Sequence, residues 1–335
     1  MTSIPQTETL IPGRWRLPLR VLWLAFAFLL LGIYFAGLGP RYKELSRICT
    51  GEDCMVLTLT LEEFEIIHTF GMTMPAYAGV QSLLEGFLVM SFSLLGALVF
   101  WRKSETVVGY VISLTFLFVA VPFFSESPRL LMRMYPMLET PINSLIAASV
   151  ALMLLLFYVF PNGQFTPRWI RWVATALFAA IFLEGVVLNV TPQAVSASLA
   201  VIILFAIGAP LGLFSQIYRF RKVSNATQRQ QTKWILAGFL CMFTGMAAWL
   251  IFAEIAPLPP GKARLIFYFS LLPQYILIGL FPAAVVISIM RYRLWDIDLV
   301  VRRTLQYSLL TGLLALTYFG SVILLQTGFR TLTGQ

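Results

Sequence analysis

The feature that most constrains this chain is a series of apolar runs, each about 20 residues long, separated by short polar or basic connections. A helix of that length rises about 30 Å, which is the thickness of the hydrocarbon core of a bilayer. The runs are continuous rather than alternating, which favours helices over the strands of a membrane barrel. The chain is 59% hydrophobic and 12% charged, which is about half the charge fraction of soluble domains. The sequence therefore predicts an all-α, polytopic protein embedded in a lipid bilayer.

Nine transmembrane helices are predicted from these runs. Their approximate ranges are 19–38, 77–101, 106–124, 141–160, 170–190, 197–218, 234–256, 265–290 and 304–326. The remaining segments are an N-terminal arm (1–18), a long loop (39–76), a polar segment (291–303) and a tail (327–335), with seven of the spans forming a bundle over 77–290. The first run lacks a small-residue cleavage site and is interpreted as a retained span.

The distribution of basic residues predicts the orientation. Of the 24 Lys and Arg residues, 16 lie in the N-terminal arm and in the connections on the same side, and 8 lie on the other side. The positive-inside rule places the N-terminus in the cytoplasm and loop 39–76 outside. Topology therefore accounts for the net charge of +9, and nucleic acid is not predicted as a partner.

Loop 39–76 is the only long polar segment. Cys49 and Cys54 flank a turn-forming stretch, "TGED", and outside the cytoplasm such a pair is free to form a disulfide. Two unlinked thiols are the alternative. His68, the only histidine of the chain, does not combine with these cysteines into a standard zinc spacing, so no metal site is predicted.

A short helix is predicted within this loop. Thr60 is a suitable N-cap, acidic residues follow it in the first turn, and Gly71 ends the helix. One face carries Leu61, Phe64, Ile67 and His68. This face is predicted to lie along the membrane surface.

Three carboxylates, Glu85, Glu184 and Glu254, fall within predicted spans, all in the outer half, and Gln81 and Asn143 lie at similar depth. A carboxylate in the bilayer costs a few kcal/mol unless it is satisfied, so each is a candidate functional residue. Two interpretations remain open: an outward-opening pocket that senses a ligand, ion or proton, and hydrogen bonding that holds helices together. The predicted spans contain no cationic residue to pair with these carboxylates, which favours partial protonation.

No catalytic chemistry is visible in the sequence. One histidine excludes most metal and haem schemes of membrane enzymes. There is no phosphate-binding loop, dinucleotide-binding glycine pattern or nucleophile elbow. The chain is therefore predicted to be neither an enzyme nor dependent on a cofactor.

Three segments on the predicted cytoplasmic side stand out. "FPNGQFTPRWIRW" combines a turn with tryptophans suited to the headgroup region, and "YRFRKVSNATQRQQTKW" is interpreted as a solvated connector touching anionic lipid. Segment 291–303 is predicted to be an amphipathic elbow whose charged residues are Arg291, Arg293, Asp296, Asp298, Arg302 and Arg303. Helical spacing pairs Asp298 with Arg302 and Arg293 with Asp296. Signal relay and simple interfacial anchoring are the two interpretations of this elbow.

These segments resemble the N-terminal multi-span membrane region of bacterial sensor histidine kinases, of the actinobacterial and Chloroflexi type and similar to competence quorum-sensing kinases. The resemblance rests on "FPNGQFTPRW", "QRQQTKW" and above all "RYRLWDIDLVVRRTLQYSLLTGLLA". It implies a bacterial plasma-membrane protein, a homodimer, and a tenth span leading to a cytoplasmic signalling domain or partner beyond Gln335. No catalytic residue of that family has a counterpart here.

The function predicted from these observations is a membrane-embedded sensor or input module of bacterial signal transduction. It would relay an extracytoplasmic or intramembrane stimulus to a cytoplasmic output. The alternative is a transporter or channel that uses the intramembrane glutamates.

Overall fold

A computed structural model describes residues 9–50, 55–186, 194–222, 224, 226–249, 251 and 258–290. Within these ranges the chain is helical, with two isolated β-bridges and no strand. The helices are α1 (Gly13–Leu45), α2 (Leu61–Thr69), α3 (Met74–Lys103), α4 (Val107–Ala120), α5 (Ser127–Met134), α6 (Glu139–Val159), α7 (Ile170–Val186), α8 (Ala194–Lys222), α9 (Ala226–Trp249), α10 (Lys262–Phe269) and α11 (Leu271–Met290). A 3₁₀ turn, Pro136–Leu138, precedes α6.

Four of these helical segments are long and apolar enough to cross a bilayer. They are Gly13–Leu45, Met74–Lys103, Pro136–Val159 and Lys262–Ser288. Helix α4 and residues Ile170–Leu183 of α7 are shorter apolar helices. The prediction of an all-α membrane protein is thus confirmed. The count of nine transmembrane helices and the cytoplasmic position of the N-terminus stay predictions.

The chain divides into two compact units, residues 1–289 and 290–335. The first unit contains α1 to α10 and nearly all of α11. The elbow, the ninth predicted span and the tail all lie outside the described residues.

The first unit is a helical bundle whose contacts join helices that are adjacent in the sequence and helices that are further apart. Helix α3 packs on α1 and α4, α6 packs on α4, α7 and α8, and α8 contacts α9. Aromatic rings from several helices meet at its centre: Phe157 stacks on Phe239 with centroids 3.6 Å apart, and Phe239 lies 4.4 Å from Phe281. These buried rings join α6, α9 and α11 into one hydrophobic core.

The bundle has two ends, a loop end and an N-terminal end. The loop end carries the C-terminus of α1, helix α2, the start of α3, α5 and α10. The N-terminal end carries the start of α1, the connections 104–106 and 160–169, and the C-terminus of α8. Hydrogen bonds hold this second end together, from the backbone amide of Ile11 to the Glu105 carbonyl (2.9 Å) and from Thr9 Oγ1 to the Asn162 carbonyl (3.1 Å).

The short loop helix α2 forms where it is predicted, with Thr60 at its N-cap and Gly71 beyond its end at a φ of 77°. Glycine suits that left-handed conformation because it has no Cβ. The predicted apolar face is divided: Ile67 is buried in protein together with Glu63, whereas Leu61 and His68 are exposed, so its contact with the membrane surface stays a prediction. The reason is that Glu63 binds Arg264, so the helix turns its acidic side toward α10.

Candidate functional site

An ion pair between Arg41 and Glu85 lies within the helices at the loop end. The Nε atom of Arg41 is 3.8 Å from Oε2 of Glu85, and the two side chains are 0% and 7% exposed. Arg41 belongs to α1, which stays helical through Leu45, well past the predicted end of the span at residue 38. The expectation that no cation pairs with the intramembrane glutamates is therefore wrong for Glu85. The apolar run ends several residues before helix α1 does. A basic residue of the polar segment that follows the run therefore still lies on the helix, inside the bundle.

The Glu85 carboxylate also organises the connection between α4 and α5. Its Oε1 atom accepts a hydrogen bond from Ser125 Oγ (2.5 Å) and another from the backbone amide of Glu126 (3.2 Å). Ser125 Oγ in turn accepts from the backbone amide of Ser127 (3.1 Å), at the start of α5. One buried carboxylate thus holds a turn that would otherwise expose unpaired backbone groups to an apolar environment.

The same pair is connected to loop 39–76. Arg41 Nη2 donates to the Val56 carbonyl at 3.0 Å. The adjacent carbonyl, that of Leu57, accepts from the hydroxyl of Tyr77 on α3 at 2.9 Å. Leu57 has a φ of 71°, a strained conformation for a residue with a side chain. The surrounding contacts must hold this turn, and it directs two successive carbonyls into the bundle.

Of the other predicted polar residues, Gln81 joins this cluster. It lies one turn before Glu85 and is 3% exposed. Asn143 is half-buried in the second turn of α6. Glu184 belongs to the last turn of α7, and its side chain lies outside the described part of the structure. Glu254 and the six charged residues of segment 291–303 also lie outside it.

Arg41 was missed in the sequence because it follows the apolar run. The signal that finds it is helical periodicity. The buried residues of α1 are Trp23, Leu30, Tyr34, Gly37, Arg41 and Leu45. Steps of three, four and seven residues continue this stripe through the polar segment. Gly37 lets helices α1 and α5 approach each other closely, because a Cβ at this position would lie only 2.5 Å from the Cβ of Ser127 on α5.

A second ion pair fastens the loop helix to α10. Arg264 donates from Nε to Oε1 of Glu63 (2.7 Å) and from Nη2 to Oε2 (2.5 Å). The backbone amides of Gly261 (3.1 Å) and Thr60 (3.0 Å) donate to the same carboxylate. Burial by itself raises the pKa of Glu63, but these hydrogen bonds and the charge of Arg264 outweigh it, so the pKa lies below its ordinary value.

This pair predicts an acid-sensitive attachment of α2. Because the folded pKa of Glu63 is depressed, its stabilising contribution is complete above the unfolded pKa of about 4.3 and is lost as the pH falls through the lower, folded value. Hydrogen exchange of the amides at 60–69 and 261–265 should therefore accelerate below about pH 4. A Glu63→Gln variant should show the faster exchange already at neutral pH. The matched control is Glu62→Gln, since Glu62 is exposed in the same helical turn; equal effects of the two variants would contradict the assignment.

The opposite, N-terminal end contains a third polar cluster, centred on Arg219. This side chain is 1% exposed and donates to the carbonyls of Tyr158 (3.1 Å), Val159 (3.3 Å), Phe160 and Gln164, and to Oδ1 of Asn162 (3.0 Å). It thereby satisfies the carbonyls at the C-terminus of α6, where the helix dipole favours a cation.

The interpretation of residues 218–234 as a solvated connector is therefore wrong. Only a short break separates α8, which ends at Lys222, from α9, which begins at Ala226, and Ser224, Gln228 and Thr232 are buried. The physical reason is that the turn "FPNGQ" needs donors for its carbonyls, and Arg219 supplies them. Helical periodicity could have predicted the burial of Arg219. The buried residues of this part of α8 recur every three or four positions: Gly208, Gly212, Ser215 and Arg219.

The cysteines of the chain differ in their state. Cys49 is disulfide-bonded, and Cys241, half-buried in α9, is free. Cys54 lies outside the described residues, so its pairing with Cys49 stays a prediction.

We expect non-reducing peptide mapping to recover residues 49 and 54 in one cross-linked product, with only Cys241 alkylated before reduction. Alkylation of all three thiols in the unreduced, denatured protein would contradict the predicted bridge.

Neither a metal-ligand cluster nor a similar protein points to the function of this site. Among the described residues, no group of three or more His, Cys, Asp or Glu side chains is placed to hold a metal ion. Comparison with models of protein families, with characterised proteins and with solved structures gives no match. The candidate site therefore rests on its own contacts.

Proposed function

We propose that this protein is a membrane-embedded sensor or input module of bacterial signal transduction. The observation that carries the proposal is the hydrogen bond from Arg41 to the Val56 carbonyl, which joins the turn at Val56 and Leu57 to a buried ion pair between α1 and α3. In this proposal the loop lies outside, the N-terminus lies in the cytoplasm, and nine spans cross the bacterial plasma membrane. The basic residues on the connections support that orientation.

The mechanism requires two helix arrangements that a stimulus distinguishes by affinity. Three helices make polar contacts with the loop: α1 through Arg41, α3 through Tyr77 and α10 through Arg264. A stimulus that shifts the loop would therefore change the packing of these helices directly. Helices α1 and α3 are 33 and 30 residues long, so each carries such a change about 45–50 Å toward the other end of the bundle.

The output in this proposal is cytoplasmic and is reached through segment 291–303. Its residues Arg291, Arg293, Asp296, Asp298, Arg302 and Arg303 are the proposed relay. The resemblance to the membrane region of sensor histidine kinases supports this step and favours a homodimer with a cytoplasmic signalling domain or partner. Signalling that persists after Arg302 and Arg303 are both replaced by glutamine would contradict the relay role.

The test of the proposal joins the chain at Gln335 to an added tenth transmembrane helix and then to a histidine kinase domain, so that the kinase lies on the cytoplasmic side, and it measures autophosphorylation in nanodiscs. We expect Glu85→Gln to change the output several-fold, because it removes the charge that holds Arg41. The matched control is Leu83→Ala on the same helix, whose side chain is 74% exposed and should leave the output unchanged. An output that responds to neither variant, in a chimera that phosphorylates itself, would contradict an input role for this cluster.

The alternative is a transporter or channel that works through Glu85. The position of Glu85 favours this alternative. The carboxylate lies about 16 Å along the membrane-length helix α3 and is buried beside Arg41. A translocated ion or proton can occupy a buried acid at that depth. Flux of protons or monovalent cations into proteoliposomes that disappears in Glu85→Gln would establish transport. Equal, leak-level flux in empty liposomes, wild type and variant would exclude it.

A further inference from the structure

The cluster around Arg41 and Glu85 contains more buried polar atoms than the described protein groups satisfy. Arg41 is 0% exposed, and its only hydrogen bond in the described part of the chain is the one from Nη2 to the Val56 carbonyl. Its Nε and Nη1 atoms have no hydrogen-bond partner there. A buried donor without a partner destabilises the fold, so such donors are normally met by another protein group or by ordered water.

Unpartnered acceptors and hydroxyls lie beside these donors. Among the described residues, Gln81 Oε1, Ser82 Oγ and Ser127 Oγ are buried without a hydrogen-bond partner. Gln81 and Ser82 lie within one turn of Glu85 on α3, and Ser127 packs against Gly37, one turn before Arg41 on α1. Helices α1, α3 and α5 thus each carry buried polar atoms without a partner within about one turn of the residues that form or contact the ion pair.

The ion pair is not closed by a hydrogen bond from the Nε atom of Arg41. Both hydrogen bonds to the Glu85 carboxylate end on Oε1, so Oε2 is left facing Arg41. The separation of 3.8 Å between Oε2 and Nε is too long for a hydrogen bond, and a water beside the pair can bond both groups where they do not bond each other. Glu85 keeps 7% of its side chain exposed while Arg41 keeps none, so the acid is less completely enclosed by protein than the base.

The charges of the cluster select the ligand. Arg41 and Glu85 cancel, and Glu126, which also lies near Glu85, is paired with Arg129. The other titratable groups facing Glu85 are Tyr34 on α1 and Tyr275 on α11. A site with no net charge gives little attraction to a metal cation or an anion, whereas water satisfies both the free donors and the free acceptors.

We propose that this cluster is a hydrated proton-binding site, in which water bridges Arg41 to Glu85 and delivers a proton to Glu85 Oε2. The bridging water gives up a proton to the carboxylate and regains one from solvent, so the net reaction is carboxylate plus proton to carboxylic acid. Protonation removes the negative charge that faces Arg41. The guanidinium is then free to move, and with it the Val56 carbonyl that it holds.

The inference deepens the proposed sensor function, on which its signalling role rests, by naming the proton as the stimulus. Binding of the proton does not depend on signalling, however. A site that takes up a proton while the output of the kinase chimera ignores pH would support this inference and count against the sensor.

Infrared difference spectroscopy of the full chain in nanodiscs tests the proposal. On acidification we expect a carbonyl stretch of a protonated carboxylic acid to appear, to shift to lower wavenumber in deuterated water, and to be absent in Glu85→Gln. Glu126→Gln is the matched control and should retain the band. Arg41→Gln should move its midpoint toward higher pH by at least about one unit, because a nearby cation favours the ionised acid.

Two results would overturn the inference. One is a titrating band that survives in Glu85→Gln, which would assign the proton to another group. The other is a Glu85 band that fails to shift in deuterated water, which would show that no water reaches the acid. Glutamine has nearly the shape of glutamate and keeps an acceptor for Ser125, and intact circular dichroism of the variant verifies that it folds.

Discussion

Replacing Arg41 by methionine is expected to lower the free energy of unfolding by about 3–5 kcal/mol at neutral pH, the range found when one partner of a buried ion pair is removed. The variant leaves the Glu85 carboxylate without its counter-charge and the Val56 carbonyl without its donor. Unfolding in mixed detergent micelles, followed by tryptophan fluorescence, measures the loss. The loss should shrink as the pH falls, because a protonated Glu85 no longer needs a counter-charge.

The double variant Arg41→Met, Glu85→Gln separates charge from packing. It removes both charges, and glutamine still accepts the hydrogen bonds from Ser125 and Glu126, so we expect it to recover more than half of the lost stability. Lys43→Met is the matched control, since Lys43 is exposed two residues further along α1. A loss for Arg41→Met as small as that of the control, within about 1 kcal/mol, would show that the pair contributes no more than a surface ion pair.

Arg219→Met is the second substitution with a large expected effect, again about 3–5 kcal/mol. It removes the donor for four carbonyls and one side-chain amide oxygen at the end of α6 and in the turn that follows. Buried acceptors left without donors account for the loss. Local opening should be visible as faster hydrogen exchange in 156–166, and the same unfolding assay gives the magnitude.

Two further variants of this helix sharpen the test. Arg219→Lys keeps the charge but loses the planar fork that reaches several carbonyls at once, so it should recover less than half of the stability. Arg221→Met is the matched control, because Arg221 is exposed on the same turn of α8 and should change stability by no more than about 0.5 kcal/mol. If Arg219→Met and Arg221→Met lose equal stability, Arg219 does not support the end of α6.

Helices within the apolar runs could be predicted from the sequence, and so could the short helix α2. The reason is that a bilayer leaves a continuous apolar run almost no alternative to a helix. The capping residue Thr60 and the terminating Gly71 act through their immediate neighbours, and such local chemistry is legible in a single chain. Glu85 and Gln81 were likewise identified as candidates by composition alone, since an acid or amide in an apolar run is conspicuous.

The partners of these residues could not be predicted in the same way. Arg41, Glu63, Arg219 and Arg264 all lie in segments that hydropathy assigns to loops or connections, where a charge is expected to be solvated. Each is buried or partly buried because a distant backbone or carboxylate group needs it: Arg264 lies 201 residues from Glu63, and Arg219 lies 57 residues from Asn162.

The sequence by itself determined that this protein contains helices long enough to cross a membrane and that Glu85 lies within one of them, because both follow from the solvation of each segment taken alone. Only the tertiary structure decided which charges meet. Pairing depends on where α1 ends, on the close contact of Gly37 with α5 and on the turn that directs Val56 toward Arg41. These are properties of packed neighbours and not of any one segment, so the Arg41–Glu85 site exists only once the bundle has assembled.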